Sequence, residues 1–236
     1  MKKTVKLLVA LIVAIAANSA IAESGKWYIG VGAGQSSYDD WVSQADITAY
    51  KDEFGASLGI VSFDGAQSAS SDDSTFGYKL FGGYSFHKNI AVELSYIDMG
   101  EVDANSNASG TFFDLVGNSD NGDLFASAKA KVDAFTLDVN LNVPITSVAA
   151  LIVKAGVYDA DTELELNAGS TIPSATDNFS DSKTEGSTGM HYAIGINFKM
   201  TTAIGLRAEW ERLDNVEAND GENDVDLISA ALIYNF

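Results

Sequence analysis

Eight stretches of this 236-residue chain alternate large apolar with small or polar side chains, and after residue 22 no apolar run reaches the roughly 20 residues a membrane helix needs. A period of two is the period of a β-strand. The clearest case is the last one, where Ile228, Ala230, Leu232, Tyr234 and Phe236 share one face of a segment that stops on an aromatic residue. Strands of this kind cross a bilayer only when they close into a ring, because any amide left unpaired in hydrocarbon is costly. The spacing predicts strands over about 26–37, 75–87, 90–100, 129–143, 147–158, 188–199, 203–213 and 225–236. The expected fold class is therefore all-β: an eight-stranded antiparallel up-and-down transmembrane β-barrel with four long extracellular loops.

The beginning of the chain agrees with export. Lys2, Lys3 and Lys6 precede an apolar run from Leu7 to Ala17, and Ala20-Ile21-Ala22 supplies the small residues of a cleavage site. We expect residues 1–22 to be a signal peptide, cleaved near Ala22, and residues 23–236 to be one barrel domain of the outer membrane. The sequence contains no Cys, which excludes disulfide staples, thiolate catalysis and thiolate metal sites. Twenty-one Gly and only two Pro suit strands that alternate between lipid and lumen.

The predicted connections alternate in length. His87-Lys88-Asn89, Pro144-Ile145-Thr146 and Met200-Thr201-Thr202 are short, whereas 38–74, 101–128, 159–187 and 214–224 are long. Short periplasmic turns with long outer loops put both chain ends on the periplasmic side. The four long spans hold 25 Asp or Glu against Lys51 and Lys183, a net of −23. Without residues 1–22 the chain totals −22, since losing three lysines changes −19 by three, so essentially all the negative charge projects outward. Phosphate polymers would be repelled, which excludes nucleic acid as a partner. Dense carboxylates keep loops solvated, and their other reading is weak capture of Ca²⁺ or Mg²⁺ at the surface. Asn219 to Asp224 is the densest such stretch, but its spacing is not that of an EF-hand and it reads first as a turn. No metal ligand is assigned.

Along the strands, Trp27, Ile29 and Val31, Val92, Leu94 and Tyr96, Leu137, Val139 and Leu141, and Ile194, Ile196 and Phe198 are expected to face lipid. Trp27, Tyr84, Phe86, Phe198, Tyr234 and Phe236 fall near the periplasmic ends, as an interfacial girdle would. The opposite parity points Lys79, Glu93, Asp138, Lys154, Arg207, Glu209 and Glu211 inward, giving a polar lumen. Eight strands leave an interior only wide enough for side chains, so these charges must pair. Ion pairs that plug the lumen are one reading, and a charged gate that switches partners is the other.

The stretch Phe76 to Tyr96, with Gly82-Gly83-Tyr84, a short Asn-containing turn and Val92-Glu93-Leu94-Ser95-Tyr96, resembles the second hairpin of small outer-membrane barrels of the outer membrane protein A and X type. Motif-level similarity is confined to 76–100 and 228–236. The resemblance implies a plugged or narrowly gated eight-stranded barrel, with Glu93 a lumen charge paired to Lys or Arg. It also implies contact with outer-membrane lipids and lipopolysaccharide, and with the barrel-assembly machinery through the C-terminal strand. Members with a periplasmic peptidoglycan-binding domain continue beyond the eighth strand. This sequence does not, so cell-wall tethering is not carried over.

The expected function is a structural or surface role, with weak porin-like conductance as a further property and no cofactor. One alternative is a lipid-modifying enzyme. It would need a base beside a nucleophile, and only His87, in a turn, and His191, inward-facing four residues from Ser187, are available. The other is an adhesion or receptor module acting through the acidic loops, with 38–74 as the contact surface.

Overall fold

The computed structural model describes residues 25–38, 41–218 and 221–236. The expected signal peptide lies outside them, as do Asn219 and Asp220 of the acidic stretch. Nine strands and one helix follow in order: β1 (Lys26–Tyr38), α1 (Gln44–Ser57), β2 (Ile60–Ser71), β3 (Ser74–His87), β4 (Ile90–Asp114), β5 (Ser119–Pro144), β6 (Ala149–Ser170), β7 (Asp177–Lys199), β8 (Ile204–Ala218) and β9 (Gly221–Asn235). All pairings are antiparallel, and β1 pairs with both β3 and β9. With β3 to β9 joined in sequence, this closes a ring of eight strands. The ring leaves no sheet edge in hydrocarbon, as two-faced strands in a bilayer require.

Side-chain parity follows the pattern in the sequence. Trp27, Ile29 and Val31 stand exposed on the outside of β1, and Ile194, Ile196 and Phe198 do the same on β7. Aromatic rings cluster at the end with the short turns, where Tyr84 lies 4.9 Å from Trp27 and 5.0 Å from Phe86, and Tyr234 lies 5.1 Å from Phe236. A second belt includes Phe76 and the Tyr96–Phe135 pair, 5.1 Å apart. Ten residues of β3 separate Phe86 from Phe76. That is roughly 34 Å along a strand and about 26 Å of height at the usual barrel tilt, the thickness of an outer-membrane apolar band.

The four long loops differ from expectation. Span 101–128 is the outer half of β4, a tight turn and the outer half of β5, and span 159–187 continues β6 and β7 in the same way. Span 214–224 is the tip of the β8–β9 hairpin. Span 38–74 carries α1 and the additional strand β2. These segments alternate as strands do, but with Ala and Ser facing inward, as at Ala104, Ser106 and Ala108. Their mean hydropathy therefore resembles that of loops.

β4 changes partner part-way along its length. Up to Asp98 it pairs with β3, and from Ala104 outward it pairs with β2. Gly100, at φ +77°, sits in the bulge between the two. A Cβ there would lie 2.5 Å from the Phe76 carbonyl oxygen, so glycine is required on grounds of space and of backbone region alike. α1 begins at a capping box: the Ser43 hydroxyl accepts from the Asp46 amide at 3.2 Å, and the Asp46 carboxylate accepts from the Ser43 amide at 3.1 Å. Its buried Ile47 packs on Ala104, Ala126 and Ala168 of the extended sheet, with Tyr50 and Phe54 at the margin.

Candidate functional site

The lumen of the ring is layered. Nearest the short turns, the inward parity of seven strands brings polar and charged side chains together. The sequence reading of a wholly polar interior fails above them. Tyr38, Ile97, Met99, Val132, Leu213, Val216, Val225 and Leu227 form a continuous apolar layer across the lumen. Small and β-branched inward residues at the outer ends of the same strands produce this change. The Tyr38 hydroxyl donates to the Gly100 carbonyl at 2.7 Å and accepts from the Val132 amide at 3.3 Å, tying β1 to both β4 and β5 across the layer.

All seven inward charges expected from parity, Lys79, Glu93, Asp138, Lys154, Arg207, Glu209 and Glu211, are buried below this layer. Glu93 is the hub. Its Oε2 accepts from the Tyr28 hydroxyl at 2.7 Å, from Asn140 Nδ2 at 3.0 Å and from Arg207 Nη1 at 2.8 Å, while Oε1 accepts from Lys154 Nζ at 2.7 Å. Lys154 also lies 2.7 Å from Glu209 Oε1, and Lys79 is paired to both Glu209 and Glu211. Lys79, Lys154 and Arg207 lie 5.4, 5.7 and 4.7 Å from the centroid of the Phe81 ring, so one aromatic ring serves three cations.

Asp138 is joined through His191 instead. His191 Nδ1 is 2.7 Å from Asp138 Oδ1, and Nε2 is 3.5 Å from Glu211 Oε2. Thr136 donates to the other Asp138 oxygen at 2.8 Å. Only the imidazolium form of His191 offers a donor to both carboxylates. Counted in that form, the cluster holds four acids and four bases, the balance a buried set of charges needs. The strand opposite leaves room for it: a Cβ on Gly156 would come within 2.4 Å of Asp138 Oδ1.

Tyr28, Asn140 and His191 complete the network; of these the sequence singled out His191 as inward-facing, but not its partners. Tyr28 and Glu93 are 65 residues apart, and Asn140 and Tyr28 are 112 apart. Such partners are set by how the ring closes and leave no local signature. Ser187 is also buried, but it lies four residues along β7 from His191, roughly 13 Å at the strand rise. The two are not in hydrogen-bonding reach. Among the described residues, no group of three or more His, Asp or Glu side chains is arranged to hold a metal ion.

A closed eight-stranded ring with a lipid-facing apolar band, two aromatic belts and a lumen filled by its own side chains defines an integral β-barrel of the outer membrane. The chain belongs to the OmpA-like transmembrane domain family, whose model matches residues 22–236. It spans the membrane many times and sits in its lipid. Similar solved structures include Ail, the attachment invasion locus protein of Yersinia pestis, at 15% identity and TM-score 0.47, covering 90% of this chain and 99% of that one. OprG of Pseudomonas aeruginosa is 16% identical at TM-score 0.48, with 90% and 96% covered. Neisserial surface protein A is 11% identical at 0.45, with 91% and 100% covered. At these values the likenesses carry no functional weight. No curated protein matches the chain.

Proposed function

We propose that this protein is a closed, non-enzymatic outer-membrane barrel whose work is done by the sheet it holds above the bilayer. The observation that carries the reading is the double closure of the lumen. A cluster of mutually paired charges lies beneath an apolar layer in which Ile97, Met99, Val132, Leu213 and Leu227 all have essentially no exposed surface. An ion entering from below meets paired groups and then hydrocarbon, and conduction requires both to part. Planar-bilayer recording of the refolded barrel should be silent at neutral pH. Stable unitary currents would refute the closed lumen.

Surface contact is supported by the lengths of β4 to β7, 22 to 26 residues each, against 13 to 15 for β1, β3, β8 and β9. About ten residues cross a bilayer, so the surplus stands outside it. The projection ends in Leu115 and Val116, 80% and 82% exposed, at the β4–β5 turn. Two adjacent apolar side chains held this far out favour a contact role over mere connection. Replacing both by Ser should leave folding intact and lower cell-surface adhesion, and equal adhesion would remove this part of the proposal.

The enzyme alternative has less support, because His191 is hydrogen-bonded to Asp138, sealed from solvent and out of reach of Ser187. Mass spectrometry of lipid A should show no difference between cells with and without the His191→Ala variant. We also propose cleavage of residues 1–22 on export, recognition of the β9 residues Ile228, Ala230, Leu232, Tyr234 and Phe236 by the barrel-assembly machinery, and contact of the barrel wall with lipopolysaccharide. The outer carboxylates serve first to solvate the projecting sheet, and association with divalent cations or lipopolysaccharide phosphate through such cations is the weaker role.

A further inference from the structure

The mouth of the barrel on the side of the short turns holds a cavity of about 400 Å³. Its charge is opposite to that of the rest of the molecule. Lys26, Lys88, Lys199 and Arg207 line it, and no Asp or Glu does, in a chain with 33 acidic residues and 14 basic ones. The three lysines are exposed, and among the described residues none of them takes part in an ion pair. Arg207 forms the floor, only 4% exposed.

The hydrogen bonds of that floor fix which polar atoms remain for a ligand. A guanidinium can only donate. Arg207 Nε donates to Asn197 Oδ1 at 2.8 Å, which turns the Asn197 amide nitrogen toward Asn142, where it donates to Oδ1 at 2.8 Å. One lone pair of Asn142 Oδ1 is thereby taken, and its Nδ2 is a donor with no partner among the described residues. Arg207 places Nη1 on Glu93 and keeps Nη2, likewise without a hydrogen-bond partner. Both residues line the cavity. The relay thus sorts the side-chain amides so that donors are left over, on a floor flanked by ammonium groups that have no ion-pair partner among the described residues.

A site with surplus donors and positive charge takes a multiply charged oxygen anion. We propose that this vestibule is a binding site for phosphate-type oxyanions, facing the periplasm and separate from the extracellular surface. The anion would be held between Arg207 Nη2 and Asn142 Nδ2, with Lys26, Lys88 and Lys199 supplying long-range attraction. Two sources offer that chemistry, phosphorylated solutes of the periplasm and phosphate headgroups of the lipid leaflet around the rim.

The test uses the refolded full barrel in zwitterionic micelles, titrated with inorganic pyrophosphate, with the side-chain NH signals of Asn142, Asn197 and Arg207 followed by nitrogen-15 NMR. Saturable shifts at these three residues are expected, with affinity falling as salt rises. The triple variant Lys26→Gln, Lys88→Gln, Lys199→Gln changes only exposed side chains and should bind roughly tenfold more weakly, the combined effect of three exposed ionic contacts. Asn142→Asp keeps the oxygen that Asn197 needs but replaces the free donor by an acceptor, and should abolish binding. Heat-modifiable gel mobility reports that each variant is folded. In phosphatidylglycerol nanodiscs without pyrophosphate, the same shifts would identify the headgroup as the source. Shifts that need pyrophosphate there would identify a soluble ligand. Absence of saturable shifts in micelles, or equal affinity in the folded triple variant, would overturn the proposal.

Discussion

Replacing Glu93 by Gln tests whether the lumen cluster holds together as one electrostatic unit. The substitution keeps shape and one carbonyl acceptor but removes the charge that faces Lys154, Arg207, Tyr28 and Asn140. Lys154 retains Glu209 at 2.7 Å, so its loss is partial. Arg207 is left with Glu209 at 3.7 Å as its nearest carboxylate, a distance at which a buried cation is poorly compensated. Breaking a buried pair on one side costs about 3–5 kcal/mol, and the surviving contacts put this case near ~3 kcal/mol. Equilibrium urea unfolding in lipid vesicles, followed by the fluorescence of Trp27, Trp41 and Trp210, measures it. Adding Arg207→Met removes the orphaned cation and leaves three acids against three bases, His191 being counted as imidazolium. The double variant should therefore recover roughly 2 kcal/mol of the summed single losses. A single variant within about 0.5 kcal/mol of the parent, or strictly additive losses, would refute the view that these charges are mutually dependent.

Four further outcomes are expected. Gly100→Ala places a Cβ against the Phe76 carbonyl in left-handed backbone and should cost about 1–3 kcal/mol, seen as a lower urea midpoint with an unchanged slope. Ser43→Ala removes one half of the α1 capping box and should speed amide exchange in 44–57 by the equivalent of about 1 kcal/mol while leaving the barrel strands unaffected. The Asp46 carboxyl of the same box is held below its ordinary value by hydrogen bonds from the Ser43 hydroxyl and backbone amide. A depressed carboxyl contributes stability that is complete above the unfolded value of about 3.9 and is lost as pH falls through the folded one. Protection factors in α1, corrected for the intrinsic pH dependence of exchange, should therefore be flat from pH 7 to 5 and fall below about pH 4, and Asp46→Asn should flatten that profile. Arg212→Gln breaks its paired contacts to Asp226 at 2.6 and 2.7 Å and its contact to Asp224 at 2.8 Å, and should loosen the β8–β9 tip by about 1 kcal/mol, read by amide exchange at 213–225.

The membrane-embedded part of the fold was legible because lipid imposes one rule on every strand. Residues such as Ile29, Val139 and Ile194 had to be large and apolar, and parity then fixed the inward direction of Lys79, Glu93 and Arg207. Outside the bilayer both faces of a strand can be polar. The stretch Asp103 to Ala108 in the outer half of β4 therefore alternates only between Ala or Ser and Asn or Asp, which is also the composition of loops. The start of α1 was marked by Ser43 and Asp46 at capping-box spacing, a local signal that a search for strands passes over. The apolar layer was partly visible too, since Ile97 and Leu213 continue the inward parity of Glu93 and Glu211. Which charge meets which was not visible, because pairs such as Glu93–Lys154 and Glu93–Arg207 join residues 61 and 114 apart in the chain.

The unequal strand lengths cut the rim of the barrel on a slant. Beyond His191, β7 has no ladder partner on β8 among the described residues, and β2 ends the sheet on its other flank. The paired wall above the bilayer is thus tallest along β4 to β7, with α1 against its inner face, and lowest above β8, β9, β1 and β3. Whatever meets the concave side therefore has its shortest approach over that low flank, skimming the membrane, with the lipid surface as the fourth wall of the encounter.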